Sequence, residues 1–163
     1  MLRSDVLGAA RSVLESAAFS EVEIGVRAQP ESVTRPIGNL EAYRVLRPAQ
    51  QATQLEAEGW TLSKAVPGFR MTSCVKRPAN LKAVIDGSNG RSEVTQAVFS
   101  DGLTHVSLFI EPFDAARHRS SIQAQFGATH SLSGRKGEFW VTAMGDVPPA
   151  TLKQFIDSLE RRP

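Results

Sequence analysis

The chain has 163 residues, 41% hydrophobic and 22% charged, which is enough for one domain with a real core and too apolar for wholesale disorder. Its net charge is +2 and the cations are scattered, which argues against nucleic acid, because phosphate binding needs clustered Lys and Arg. No apolar run approaches the roughly 20 residues of a membrane-spanning helix, and the one cysteine, Cys74, cannot form an internal disulfide and reads as a small apolar residue.

Residues 1–25 admit two readings. Leu7, Ala10, Leu14, Ala17 and Ala18 sit at helical spacing, and Ala, Leu and Glu are good helix formers. Alternatively, residues 2–7 and 13–24 are two strands around a turn at 8–11, with Ser20 to Ile24 alternating as a strand does. Met1 to Asp5 is charged where the apolar stretch of a signal peptide would begin, so the residues by themselves carry no export signal. Residues 26–58 read as a connector punctuated by Pro30, Pro36, Gly38 and Pro48. A short helix at 39–46, with Asn39 as its N-cap, interrupts it.

Residues 59–163 read as an α+β domain. Short strands are expected at 60–66 and 69–76, the second with Phe69, Met71, Ser73 and Val75 on one face. Residues 80–92 look irregular, with a turn-rich tip at 86–90. Strands at 93–100 and 103–111 flank Asp101-Gly102, a pair that favours a type I′ turn. Val106, Leu108 and Ile110 face one way and Phe109 the other, which suits a central strand. A polar connector over 112–124 carries Arg117, His118 and Arg119. A further hairpin joins 124–132 to 138–144 across Ser133-Gly134-Arg135-Lys136-Gly137. Pro148-Pro149 opens a last helix, with Leu152, Phe155, Ile156 and Leu159 on one stripe. Arg161 and Arg162 would then suit the negative end of its dipole. The expected fold is a mostly antiparallel sheet with a C-terminal helix packed on one face.

The residues offer little chemistry. His105, His118 and His130 lack metal-ligand spacing with one another or with Cys74. Ser100, Asp101 and His105 invite a catalytic triad, but Ser100 and Asp101 belong to a turn and His105 is expected to point away along the outgoing strand. Glu21, Glu23, Glu56 and Glu58 read as solvated charge rather than an acid–base pair. There is no phosphate loop or dinucleotide fingerprint, and the expected cofactor is none. The chain is expected not to be an enzyme. Arg117, His118, Arg119, Arg135 and Lys136 are the candidate partner contacts, because rim charges steer and orient partners.

A family resemblance adds to this. Val98-Phe99-Ser100-Asp101-Gly102-Leu103 running into Val106-Ser107-Leu108-Phe109-Ile110 resembles the hairpin of the MucB/RseB C-terminal domain. So do Trp60 followed by Pro67-Gly68-Phe69, and Trp140-Val141-Thr142 with Gly145-Asp146-Val147-Pro148-Pro149 and Thr151-Leu152-Lys153. Leu2-Arg3-Ser4-Asp5-Val6-Leu7 and Ala18-Phe19-Ser20 resemble the closing strands of that family's N-terminal, lipoprotein-carrier-like domain. The resemblance favours strands over a helix there, and it implies that most of the larger N-terminal domain is missing.

It further implies a periplasmic negative regulator of an envelope-stress sigma factor of the sigma-E type. Such a regulator binds the periplasmic domain of an RseA/MucA-like anti-sigma factor and shields it from proteolysis. Lipid or lipopolysaccharide release would act through the missing N-terminal domain. A lipid- or lipopolysaccharide-binding envelope module is the alternative, and exposed edge strands make self-association a further expectation.

Overall fold

A computed structural model of the chain describes residues 2–27, 29–31, 50–79 and 93–162. The helix expected at 39–46 and the irregular stretch at 80–92, with its tip at 86–90, lie outside the described residues. The chain divides into two units, Met1–Arg47 and Pro48–Pro163.

In the first unit, β1 (Arg3–Leu7) pairs antiparallel with β2 (Val13–Ala18). Strands therefore form where helix propensity competed. Arg11 adopts a φ of 58° in the turn, and the Gly8 N–H donates to the Ser12 carbonyl at 2.8 Å. The second strand stops at Ala18. Residues 20–24, expected to extend it, are not strand, because alternation without a pairing partner does not hold a strand.

The second unit is built on a seven-stranded antiparallel sheet, in the order β3-β5-β6-β7-β10-β9-β8. Its strands are β3 (Gln51–Ala52), β5 (Arg70–Pro78), β6 (Glu93–Ser100), β7 (His105–Pro112), β8 (Ile122–Phe126), β9 (Thr129–Lys136) and β10 (Phe139–Gly145). A helix, α1 (Pro149–Ser158), packs on one face. A short pair of β4 (Trp60–Leu62) and β11 (Leu159–Arg161) adjoins it. β7 is central in the sheet, as its two apolar faces suggested. Among the described residues no helix is long and apolar enough to cross a membrane.

The core lies between α1 and the sheet. Ala97, Phe99, Val106, Leu108, Ile110, Val141 and Ala143 come from the strands; Leu152 and Phe155 come from the helix; Leu55, Trp60, Val66 and Leu159 close the ends. The Phe155 ring meets Phe69 edge-on at 5.4 Å and Phe99 at 5.0 Å. Burying each such side chain contributes about 1.5–3 kcal/mol.

Several local expectations change. The 93–112 hairpin does not turn in two residues. Its loop spans 101–104, and only Gly102 has positive φ, at 96°. The Asp101 carboxylate instead accepts the N–H groups of Leu103 and Thr104, both at 2.9 Å, a side-chain turn that replaces the type I′ geometry. A bulge between Met71 and Ser73 breaks the expected single face of β5.

The basic segment Gly134-Arg135-Lys136 is strand, and the turn falls at Gly137-Glu138, where Gly137 takes a φ of 62°. Leu159 is fully buried but lies in β11, because the chain turns extended at that residue (ψ 121°). Arg161 is therefore a strand residue and not a helix-end cation. Lys136 takes the helix-end position, its Nζ donating to the Ile156 carbonyl at 2.8 Å, where a cation offsets the C-terminal dipole.

Candidate partner-binding surface

Strand alternation separates the sheet's two faces. Phe139, Val141 and Ala143 of β10 turn toward α1, so Trp140, Thr142 and Met144 turn away. The register places Trp140 between Glu111 of β7 and Arg135 of β9. The loop after β7 folds over this tryptophan. His118 stacks on Trp140 with centroids 4.8 Å apart and planes 3° from parallel. Phe113 lies 5.8 Å from His118, and the Arg135 guanidinium sits 4.1 Å above the Phe113 ring.

The loop is tied to itself. The Asp114 N–H donates to His118 Nδ1 at 3.0 Å, and the His118 N–H donates back to the Asp114 carbonyl at 2.8 Å. Since Nδ1 accepts, a neutral imidazole carries its proton on Nε2, which lies 3.4 Å from Glu111 Oε1. The Ala116 N–H and the Arg117 guanidinium both donate to the Asp114 carboxylate and hold its pKa below the ordinary carboxylate value.

The five candidate residues separate on this geometry. Arg117 bridges Glu111 at 3.2 Å and Asp114 at 3.0 Å, on the outer side of the loop. His118 has a side chain only 8% exposed and acts as the loop's inner anchor. Arg119 is exposed. Arg135 packs on Phe113, donates to the Gly137 carbonyl and pairs with Glu138 at 3.2 Å. His118 and Arg135 thus gather round Trp140 and Phe113, while Arg117 is held by the carboxylates of Glu111 and Asp114. Lys136, next in sequence to Arg135, alternates to the opposite face and serves α1. The signal missed in the sequence is aromatic: Trp140 and Phe113 organise the cations, and nothing in their spacing announces a stack closed by a loop.

The other chemical candidates are accounted for by local bonding. Ser100 and His105 do not diverge as expected, for they are cross-strand partners. The Ser100 hydroxyl, however, donates to the Thr104 carbonyl at 2.7 Å and accepts the Gly102 N–H at 3.0 Å, so its proton is directed away from the imidazole. Glu58 bridges Lys76 at 3.1 Å and accepts the Thr53 hydroxyl. Cys74 is buried, and desolvation first, then Glu58 and Glu56, pushes its thiol pKa up, which keeps it protonated. Among the described residues no group of His, Cys, Asp and Glu is arranged to hold a metal.

The sequence profile of the MucB/RseB C-terminal domain matches residues 54–160. No curated protein sequence matches the chain. Several solved chains share its fold, among them the following two. One is a crystal structure of MucB in complex with MucA(peri), with a TM-score of 0.68 and 22% identity over 99% of this chain. The other is the MucA/MucB complex of Pseudomonas aeruginosa, with a TM-score of 0.70 and 22% identity, again over 99% of this chain. The chain spans about half the length of those two solved chains, 53% and 50% respectively.

Proposed function

The chain belongs to the MucB/RseB C-terminal domain family, and from that premise we propose that it binds the periplasmic region of a membrane-anchored, MucA/RseA-like anti-sigma factor. Binding would act sterically. A segment held on the sheet unit is withheld from the proteases that would cut it, and a sigma factor of the envelope-stress, sigma-E type stays inactive. The work is that of a periplasmic binding module rather than a catalyst. The observation that carries the reading is the match over 54–160, supported by the fold shared with MucB chains solved in complex with MucA.

On the same premise, residues 1–25 are the closing strands of an N-terminal, lipoprotein-carrier-like domain, 26–58 a connector and 59–163 the partner-binding body. Any lipid or lipopolysaccharide signal would enter through the N-terminal domain. The contact surface is the loop and rim around Trp140. There Arg117, Arg119 and Arg135 present charge outward while His118 sets the loop's shape; Lys136 is the outlying member of the set.

A protection assay tests this. The purified anti-sigma periplasmic region is exposed to a site-specific protease with and without a molar excess of this chain. The expected result is a slowed cleavage rate that returns toward the free rate when Arg117, Arg119 and Arg135 are all changed to Glu. Cleavage at the same rate with and without the chain would contradict the proposal.

A further inference from the structure

The loop over Trp140 is shut by a ring whose hydrogen bonds suit one protonation state. His118 Nδ1 accepts the Asp114 N–H at 3.0 Å. Nε2, where the neutral ring carries its proton, lies 3.4 Å from Glu111 Oε1. The ring lies flat on Trp140, and the side chain is almost wholly buried. A second proton has one place to go, Nδ1, and there it faces the Asp114 N–H. Two donors then meet where a donor met an acceptor, and the bond is lost.

We propose that the turn at 114–118 is an acid-released latch: neutral His118 holds it closed over Trp140, and protonation of His118 lets it open. Histidine is the side chain suited to such a device between about pH 5 and 8.

The groups around the ring set the direction. From β7, Glu111 favours the cation, but its contact is loose and its other oxygen is held by Arg117 at 3.2 Å. Within the loop, the Asp114 carboxylate is taken up by Arg117 and the Ala116 N–H, and the Arg117 guanidinium opposes a further positive charge. From β9, Arg135 lies 4.1 Å above the Phe113 ring and opposes it too, with its own partner in Glu138. β10 contributes the Trp140 face, which attracts a cation but gives the Asp114 N–H no acceptor. Leaving the stack returns the charged ring to water, which burial denies it.

The backbone allows the movement. The Asp114 carbonyl accepts the N–H groups of Arg117 and His118, so the turn keeps its shape as it swings. The Phe113 N–H donates to the Glu138 carbonyl at 2.9 Å and pins the start of the loop to the sheet. Arg117 and Arg119 ride beyond that pin. With the rim around Trp140 as the contact surface, a premise taken from the proposed function, the hold on an anti-sigma segment weakens in acid. A latch open in about nine molecules of ten lowers the apparent affinity about tenfold.

NMR of the whole chain with 15N-labelled histidine rings, from about pH 8 to about pH 5, tests the latch without a partner. At the upper end His118 reads as the Nε2–H tautomer, and its ring protons show contacts with those of Trp140. As the ring charges, those contacts disappear and the Asp114 amide proton moves upfield at the same midpoint. His118→Asn keeps an acceptor close to the Nδ1 position and does not titrate, so its Asp114 and Trp140 signals stay level. Ring contacts that persist at the acid end, whether or not the ring charges, overturn the proposal. So does an Nδ1–H tautomer at the upper end, or a step of the same size in a folded His118→Asn chain. Calorimetry with a MucA-type periplasmic region at about pH 7.5 and about pH 5.5 reads the consequence: binding about tenfold weaker in acid for the wild type and level for His118→Asn. The two ideas fail differently. Absent binding with the spectral step intact counts against the proposed function, and binding without the step counts against the latch.

Discussion

Hairpins β1–β2 and β6–β7 start from comparable material and end in opposite surroundings. In β6–β7, Ala97, Phe99, Val106, Leu108 and Ile110 are all buried against α1. In β1–β2, every residue but the half-buried Leu14 is exposed. Both have an aspartate whose pKa is lowered. Asp101 is held by the N–H groups of Thr104 and Leu103, and Asp5 by the Ser16 hydroxyl and the Arg3 side chain. The difference teaches that a hairpin's local bonding decides its shape, while burial of one face decides how much stability it contributes.

The largest break in that comparison is Phe155→Ala. It removes the ring against which Phe69 and Phe99 pack and should cost about 3–5 kcal/mol in urea unfolding. Next is Gly102→Val. At a φ of 96° a β-branched residue is strained, with a cost of about 1–3 kcal/mol. Gly134→Val should cost less, since Gly134 has no positive φ and the nearest obstacle to a Cβ is the Ser121 hydroxyl at 3.2 Å, a side chain that can rotate. Equal urea midpoints for these two variants would remove the turn argument.

Acid comes third. Asp101 and Asp114 lie below the ordinary value of 3.8, so the folded chain binds fewer protons there than the unfolded one. Their contribution is complete above about pH 5 and is lost as the pH falls through 3.8 and below. The double change Asp101→Asn, Asp114→Asn should flatten the acid limb of a Tm–pH curve and leave its shape near neutrality unaltered. The smallest effect is Phe19→Ala in the first unit. Phe19 is 69% exposed, and its loss should stay within about 0.5 kcal/mol. A large effect would mean that the first hairpin buries a face after all.

Much of the fold was legible because burial leaves a periodic trace. Val106, Leu108 and Ile110 announced a strand with an apolar face, and Leu152, Phe155 and Ile156 announced the helix stripe. What was not legible depends on features without periodicity. The Asp101 side-chain turn competes with a type I′ turn in the same dipeptide. The β5 bulge shifts a face by one residue, and Leu159 continues the helix stripe in sequence while its backbone has already turned to strand. The candidate surface was legible only as charge. That Arg135 and Lys136, adjacent in sequence, serve opposite faces follows from their being strand rather than turn. That His118 closes over Trp140 is a tertiary contact with no local signature.

The central claim is partner binding, and a calorimetric titration of a MucA-type periplasmic region into this chain tests it most directly. The account predicts saturable binding, weakened at least tenfold when Arg117, Arg119 and Arg135 are reversed in sign, a loss of about 1.4 kcal/mol. No heat of binding at any accessible concentration, from a chain shown to be folded, would contradict it.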